Sequence, residues 1–425
     1  MSETRIEKIV NERTGESYFK VYHSSGLCLL LMPMEGYAQT YALFSTKYGS
    51  IDRCFRISGD DDFTTVPDGI AHYLEHKLFE NEDCDAFELY AKTGASGNAY
   101  TGFERTAYLF SCSENYLDSL KILIDLVQNP YFTQENVDKE RGIIAQEIRM
   151  SNDVPRRRVF FNMLRAMYSE HPVRIDIAGT EESIEQITPE LLYKCYEAFY
   201  DPNNMALAIA GRLDVDDVIK LCDEALRPGK DIRVETSCPE EPCEVVTDRI
   251  EENFSVGVPM FNIGFKCPPM DRDTQFKMEM AADIMLNLLA GKSSELYRRL
   301  TDKELMQVEL GREVFTGEGY FSLILSGESV DPDAVLAEVW DCIDIAAKNG
   351  FDEREFQLIK KADYGSLVQL LGYAEICAED MTLTHFIGKN CFDLEETLAS
   401  ITLDDVNKAA RELFARDRYT ISILR

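Results

Sequence analysis

The chain lacks any long apolar run: nothing in its 425 residues approaches the roughly eighteen consecutive apolar residues of a spanning helix, so no membrane span is expected. It is short of positive charge, with 44 Lys and Arg against 76 Asp and Glu and a net charge of −32. A basic face for phosphate contacts is therefore missing, which argues against nucleic acid and favours cationic or neutral partners through long-range steering. The first residues, Met1-Ser2-Glu3-Thr4-Arg5-Ile6-Glu7-Lys8, lack the apolar core of a signal peptide, and a cytoplasmic location is expected. The 12 cysteines form no Cys-x-x-Cys pair and lie singly along the chain, which predicts reduced, mostly buried thiols and no disulfide framework. Cys238 and Cys243 bracket a Pro-Glu-Glu-Pro linker, with no two further ligands nearby for a structural zinc.

Histidine is scarce too, with five residues at 23, 72, 76, 171 and 385, yet two of them share one short segment. That segment is Val66-Pro67-Asp68-Gly69-Ile70-Ala71-His72-Tyr73-Leu74-Glu75-His76-Lys77-Leu78-Phe79-Glu80. Ile70, Leu74 and Leu78 recur at helical spacing, and Pro67 with Asp68 supplies start chemistry, so a helix is predicted from about Asp68 to Phe79. His72 and His76, four apart, project from one face and can reach one metal ion at about 2.0–2.1 Å. Glu75 sits beside them in an H-x-x-E-H order, the inverse of the zincin H-E-x-x-H. Two neutral imidazoles can hold Zn²⁺ while the carboxylate takes a proton from water. A histidine pair on a helix can equally be surface decoration, and the third ligand decides between the readings.

Downstream, Glu140 and Glu147 lie seven apart on a second helix whose apolar face is Val137, Ile144 and Ile148, so they share a face. By themselves they read equally as a solvated acidic surface. The His72 motif followed by this Glu-Arg-x-x-x-x-x-Glu segment resembles the inverzincin metallopeptidases that include pitrilysin, insulin-degrading enzyme and the mitochondrial processing peptidase. The resemblance implies that Glu147 is the third zinc ligand, Glu140 a supporting acid and Glu75 the catalytic base. Gly94-Ala95-Ser96-Gly97-Asn98-Ala99-Tyr100-Thr101 resembles the family's "GA-x-x-NA-x-T" segment, and His171-Pro172 leading to Ala178-Gly179-Thr180 its "HP…GT" loop. Ala71 to Glu80, Arg105 to Ser111 and Ile175 to Thr180 look most like a bacterial YfmH-type subfamily. Asn98, Ala99 and Tyr100 are then expected to bind the backbone of an extended peptide at a sheet edge.

Mixed strands and helices with hairpin turns predict an α+β fold with helices packed on a largely antiparallel sheet. The second half repeats the first. Tyr116 to Gln128 parallels Val335 to Ala347, Thr106 to Phe110 parallels Tyr320 to Leu325, and Ile187-Thr188 matches Ile401-Thr402. Aligning Phe132 with Phe351 places Ile359 at the position of Glu140 and Ser366 at that of Glu147, so the repeat has lost the metal site. The expected organisation is a zinc-binding catalytic domain over 1–227, a linker over 228–245 and a related metal-free domain over 246–425.

Zinc-dependent endopeptidase activity is the function these residues imply. Active single-chain members of the resembled family carry an Arg and a Tyr seven residues apart in the C-terminal portion, where they stabilise the oxyanion. Here that pair falls on Thr301 and Val308, or Gln307, while Tyr297, Arg298 and Arg299 nearby read as helix-surface residues. A second, related subunit supplying the Arg/Tyr pair is therefore expected, as a homo- or heterodimer. The competing classes are a non-catalytic assembly subunit, whose signature would be an eroded His/Glu/His set, and a metal-binding protein, which would not need Glu75.

Overall fold

The computed structural model describes residues 4–80, 86–230 and 232–425. Cys84 lies outside the described residues, as does Asp85, where the sequence predicts the start of a helix running to Thr93. The chain divides into two compact units, one comprising Met1–Ile148, Asp176–Ser237 and Val368–Asp393, the other Arg149–Ile175, Cys238–Leu367 and Leu394–Arg425.

The first unit contains strands β1 (Arg5–Val10), β2 (Ser17–Tyr22), β3 (Cys28–Pro33), β4 (Thr40–Thr46), β5 (Cys54–Ile57), β6 (Thr64–Thr65), β7 (Ser96–Thr101), β8 (Thr106–Cys112), β9 (Met205–Gly211) and β10 (Val234–Thr236). Seven of them form a sheet in the order β1-β2-β3-β9-β4-β8-β7, and β10-β5-β6 form a small second sheet. Only the β3–β9 pairing is parallel in the large sheet, and β7 is one of its edges. The central strands are buried on both faces, which is why Cys28-Leu29-Leu30-Leu31-Met32 and Met205-Ala206-Leu207-Ala208-Ile209-Ala210 read as continuous apolar runs rather than alternating ones. Leu29, Leu31, Ala42, Phe44, Leu207 and Ile209 point into the core beneath the motif helix. Their neighbours Leu30, Met32, Tyr41, Leu43, Ala206 and Ala208 point the other way, against Cys377, Ala378 and Met381 of the helix Ala374–Phe386.

The second unit carries β11 (Arg249–Glu252), β12 (Met260–Lys266), β13 (Gly311–Gly317), β14 (Tyr320–Glu328) and β15 (Tyr419–Leu424), in the order β11-β15-β12-β14-β13. Its parallel pair is β11–β15, followed by three antiparallel pairings. That is the pattern of β3-β9-β4-β8-β7, so the two sheets share a topology, as the duplication predicts. The helix Pro155–Met167 packs on β12 and β15. Each unit thus takes one helix from the other half of the sequence.

Lys266, buried on β12, donates to Glu241 Oε1 (2.6 Å), Glu244 O (2.8 Å) and Met167 O (3.1 Å). Glu241 also accepts the backbone amides of Ser169, Glu170 and His171. None of the described cysteines is joined in a disulfide, and Cys238 and Cys243 are exposed. Two elements are shorter than the sequence suggests: the pattern over Phe254 to Phe265 predicts one strand, yet β12 begins only at Met260, and the motif helix, predicted from about Asp68 to Phe79, spans Ile70–Leu78. No described helix is long and apolar enough to cross a membrane.

Candidate active site and metal centre

The motif helix Ile70–Leu78 begins differently from the sequence expectation. Asp68 makes no side-chain cap; it pairs with Arg53, and Gly69 in a left-handed conformation (φ 87°) precedes the first turn. A side chain at Gly69 would stand 2.4 Å from Ala178 O, and one at Gly179 would stand 2.5 Å from Asp68 O. Ser183 Oγ also donates to Asp68 O at 2.8 Å. The Ala178-Gly179-Thr180 segment thus seats the start of the helix through backbone contact that only glycine permits.

Ile70, Ala71, Tyr73, Leu74 and Leu78 face the core and leave His72 and His76 on the opposite, partly exposed side. The second helix, Gln134–Asn152, buries Val137, Ile144 and Ile148, and Tyr73 Oη donates to Val137 O, which locks the two helices together. This aims Glu147 at both imidazoles: His72 Nε2 lies 3.6 Å from Glu147 Oε1, and His76 Nε2 lies 3.5 Å from Glu147 Oε2. One ligand atom from each of the three residues falls within 4.8 Å of the others, the one such group among the described residues. Glu140 Oε1 lies 3.0 Å from His76 Nδ1, so that nitrogen carries the proton and Nε2 is left as a lone-pair donor toward Glu147.

Glu75 is buried at 8% exposure and its Oε2 accepts a hydrogen bond from Thr101 Oγ1 at 2.6 Å. Burial raises its carboxyl above the ordinary range against the Thr101 hydrogen bond, with the charge of Glu147 adding to the rise. Burial pulls the His76 imidazole down, but the hydrogen bond to Glu140 and the charges of Glu75, Glu140 and Glu147 leave it raised overall. Three carboxylates around two imidazoles form a pocket with excess negative charge and converging N and O donors. This donor set fits a tetrahedral zinc with three protein ligands.

Asn98, Ala99 and Tyr100 all lie on the edge strand β7. Asn98 is exposed, and its Oδ1 accepts the Ala99 amide at 2.9 Å. Tyr100 points to the opposite sheet face from Thr101, where its hydroxyl donates to Glu379 Oε2 at 2.6 Å. Neither the Thr101 nor the Glu379 contact was assigned by sequence reasoning. Thr101 stands in the quoted "NA-x-T" stretch, whereas Glu379, among Glu375 and Asp380, reads as an ordinary acidic helix face.

The model described as Insulinase (Peptidase family M16) matches residues 64–181, and that described as Peptidase M16 inactive domain matches 186–362. Over its whole length the chain is 39% identical to a Bacillus subtilis (strain 168) protein named uncharacterized zinc protease YmfH, with 98% of each chain covered. The chain belongs to peptidase family M16. Among M16 structures, one described as an M16-like peptidase from Alicyclobacillus acidocaldarius superposes with a TM-score of 0.91 at 34% identity, covering 100% of this chain and 99% of that one. Pitrilysin shares the fold at a TM-score of 0.76 and 17% identity; the match spans 99% of this chain but 46% of pitrilysin. The M16 relatives are named zinc proteases, which supports a peptidase-type function with zinc as the cofactor.

Proposed function

We propose that the protein is a zinc-dependent endopeptidase acting on peptides or unfolded segments held as an extended strand. The observation that carries this reading is the placement of a buried carboxylate, Glu75, beside the convergent donors of His72, His76 and Glu147. Those three residues would hold the zinc, which when bound supplies Lewis acidity to a water and to the scissile carbonyl. Glu140 keeps His76 in the tautomer that presents Nε2. Glu75, oriented by Thr101, accepts a proton at its carboxylate from the attacking water and returns it to the leaving amine. The edge strand β7 receives the peptide backbone, with Asn98 releasing the Ala99 amide as the added strand pairs. Residues 1–227 form the metal-bearing half, 228–245 the connection and 246–425 the metal-free half of a duplicated, cytoplasmic chain. The deciding experiment is zinc analysis with a peptidase assay of the wild type beside Glu75→Gln. The variant should keep its zinc and lose hydrolysis, and full hydrolysis by it would overturn the mechanism.

A partner subunit is the second element of the proposal. Thr301 Oγ1 donates to Tyr297 O, Val308 is exposed and apolar, and Arg298 and Arg299 are engaged with Glu295, Asp302 and Glu338. None of these side chains offers a free Arg/Tyr pair for an oxyanion, and the pitrilysin chain is about twice as long as this one. A related subunit bearing that pair would complete the site. Mixing with such a subunit should raise turnover by about 10²–10³, the worth of one oxyanion donor. Full activity of the single chain, unchanged by Arg298→Ala, Arg299→Ala and Tyr297→Phe, would remove the partner.

A further inference from the structure

We infer that Glu379, contributed by the metal-free half of the sequence, is a positioning residue that clamps the edge strand β7 from the sheet face opposite the metal centre. Along β7, neighbouring side chains alternate between the two faces of the sheet. Thr101 lies on the inner face and donates to Glu75, while Tyr100 lies on the outer face and donates to Glu379 Oε2 at 2.6 Å. Arg105, at the end of the turn that returns the chain into β8, donates from Nη2 to the same oxygen at 2.6 Å and stacks its guanidinium 5.3 Å from the Tyr100 ring centroid. The turn itself is closed by Gly102 N to Arg105 O at 2.8 Å. Glu379 therefore holds both sides of the hairpin tip that contains Thr101.

The clamp is enclosed. The side chains of Arg105 and Glu379 are 15% and 20% exposed, so the charge-assisted bonds between them are screened less than a surface pair. Glu379 sits on the helix Ala374–Phe386, whose Cys377, Ala378 and Met381 are buried in the packing of that helix against β4 and β9. An edge strand has a neighbour on one side only and is free to fray. Here a charged group on a helix packed against the sheet replaces the missing constraint at the end of β7 that carries both the partner of Glu75 and the backbone offered to substrate. The duplicated half thus has a task in the catalytic unit although it carries no metal ligand.

The bearing of this clamp on substrate rests on the proposed peptidase function, whereas the clamp itself does not, and the experiment separates the two. Amide hydrogen exchange is measured on the full-length zinc-loaded chain as wild type, Glu379→Ala and Glu379→Gln, together with zinc content and peptidase KM and kcat. In Glu379→Ala, exchange within 96–105 should quicken by about tenfold or more while exchange in 70–78 and zinc content stay as in the wild type, because a lost charged hydrogen bond is worth that factor. KM should rise more than kcat falls, and Glu379→Gln, which can still accept from Tyr100, should recover part of both effects. If Glu379→Ala does not fold, the isosteric Gln variant is compared with Tyr100→Phe, and each should quicken 96–105. Unchanged exchange there overturns the clamp. Quickened exchange with unchanged KM overturns its role in holding substrate. A wild type without peptidase activity counts against the proposed function and leaves the exchange measurement to decide the clamp.

Discussion

The helices Gln134–Asn152 and Glu353–Leu370 begin 219 residues apart, at 134 and 353, the offset at which Glu140 corresponds to Ile359 and Glu147 to Ser366. Both follow an equivalent sheet order, yet one helix turns two carboxylates toward a histidine pair and the other does not. Ile359 packs against its own hydrophobic core and Ser366 is exposed. The scaffold is thus satisfied by apolar packing in either half, and among the described residues only one copy carries the candidate metal ligands. Function lives in the few side chains grafted onto the shared fold.

The comparison breaks most visibly if chemistry survives without the grafted residues. Glu75→Gln should lower kcat by about 10²–10⁴ at unchanged zinc content, the range expected for a lost general base. His72→Ala, His76→Ala or Glu147→Ala should abolish stoichiometric zinc by metal analysis. A second tightly held zinc, persisting in those variants, would contradict a metal-free second half.

The second unit offers a structural counterpart. Lys266 and Glu241 are a buried pair joining β12 to the connection, with Lys266 fully partnered. Lys266→Ala leaves the Glu241 charge beneath the surface and should cost about 3–5 kcal/mol in denaturant unfolding. A loss similar to that of an exposed pair would show that this connection is not part of the core.

Glu140→Gln sharpens the comparison inside the site. It removes the charge that orients His76 without removing a ligand, so zinc affinity or activity should fall by about 10–100-fold in a chelator competition. Placing glutamate at Ile359, its counterpart, should create no zinc binding.

The smallest expected effect is a pH difference in the counterpart helix. Burial, with the charge of Asp283, raises the Asp363 carboxyl to about 6 from 3.8. A raised folded-state value favours the protonated form, so stability is highest below the unfolded value and declines as pH climbs from about 4 through 6. Asp363→Asn removes this group's share of that decline, to which the Asp380 carboxyl, raised by burial to about 6, also contributes. It should stabilise the protein by about 1–2 kcal/mol at pH 7, after allowance for partial exposure, and by nothing near pH 4. Equal gains at both pH values would show that the carboxyl titrates normally.

Much of this was legible before the structure. The histidine spacing, the apolar faces of the two site helices and the repeat follow from local periodicity, and Tyr116–Gln128 is found at its expected bounds. The helix Ala374–Phe386 was not anticipated, because its apolar residues do not gather on one stripe and its acidic residues resemble a solvent face. The start of the motif helix was misread for a related reason: the Asp68 side chain binds Arg53, a residue distant in sequence, and contact with Ala178 and Gly179 takes over the role of the cap.

By itself the sequence determined the kind of chemistry available: which residues can ligate, which can take a proton, and which half has lost them. Those are properties of residue type and of spacing within a helix, and one turn of backbone geometry is enough to express them. The tertiary structure alone decided which carboxylate meets which imidazole, that Thr101 rather than a charged residue holds Glu75, and that Glu379 reaches across 274 residues to Arg105. Such contacts arise where separate segments bury apolar surface against a common sheet, and local periodicity carries no record of the partner they will meet.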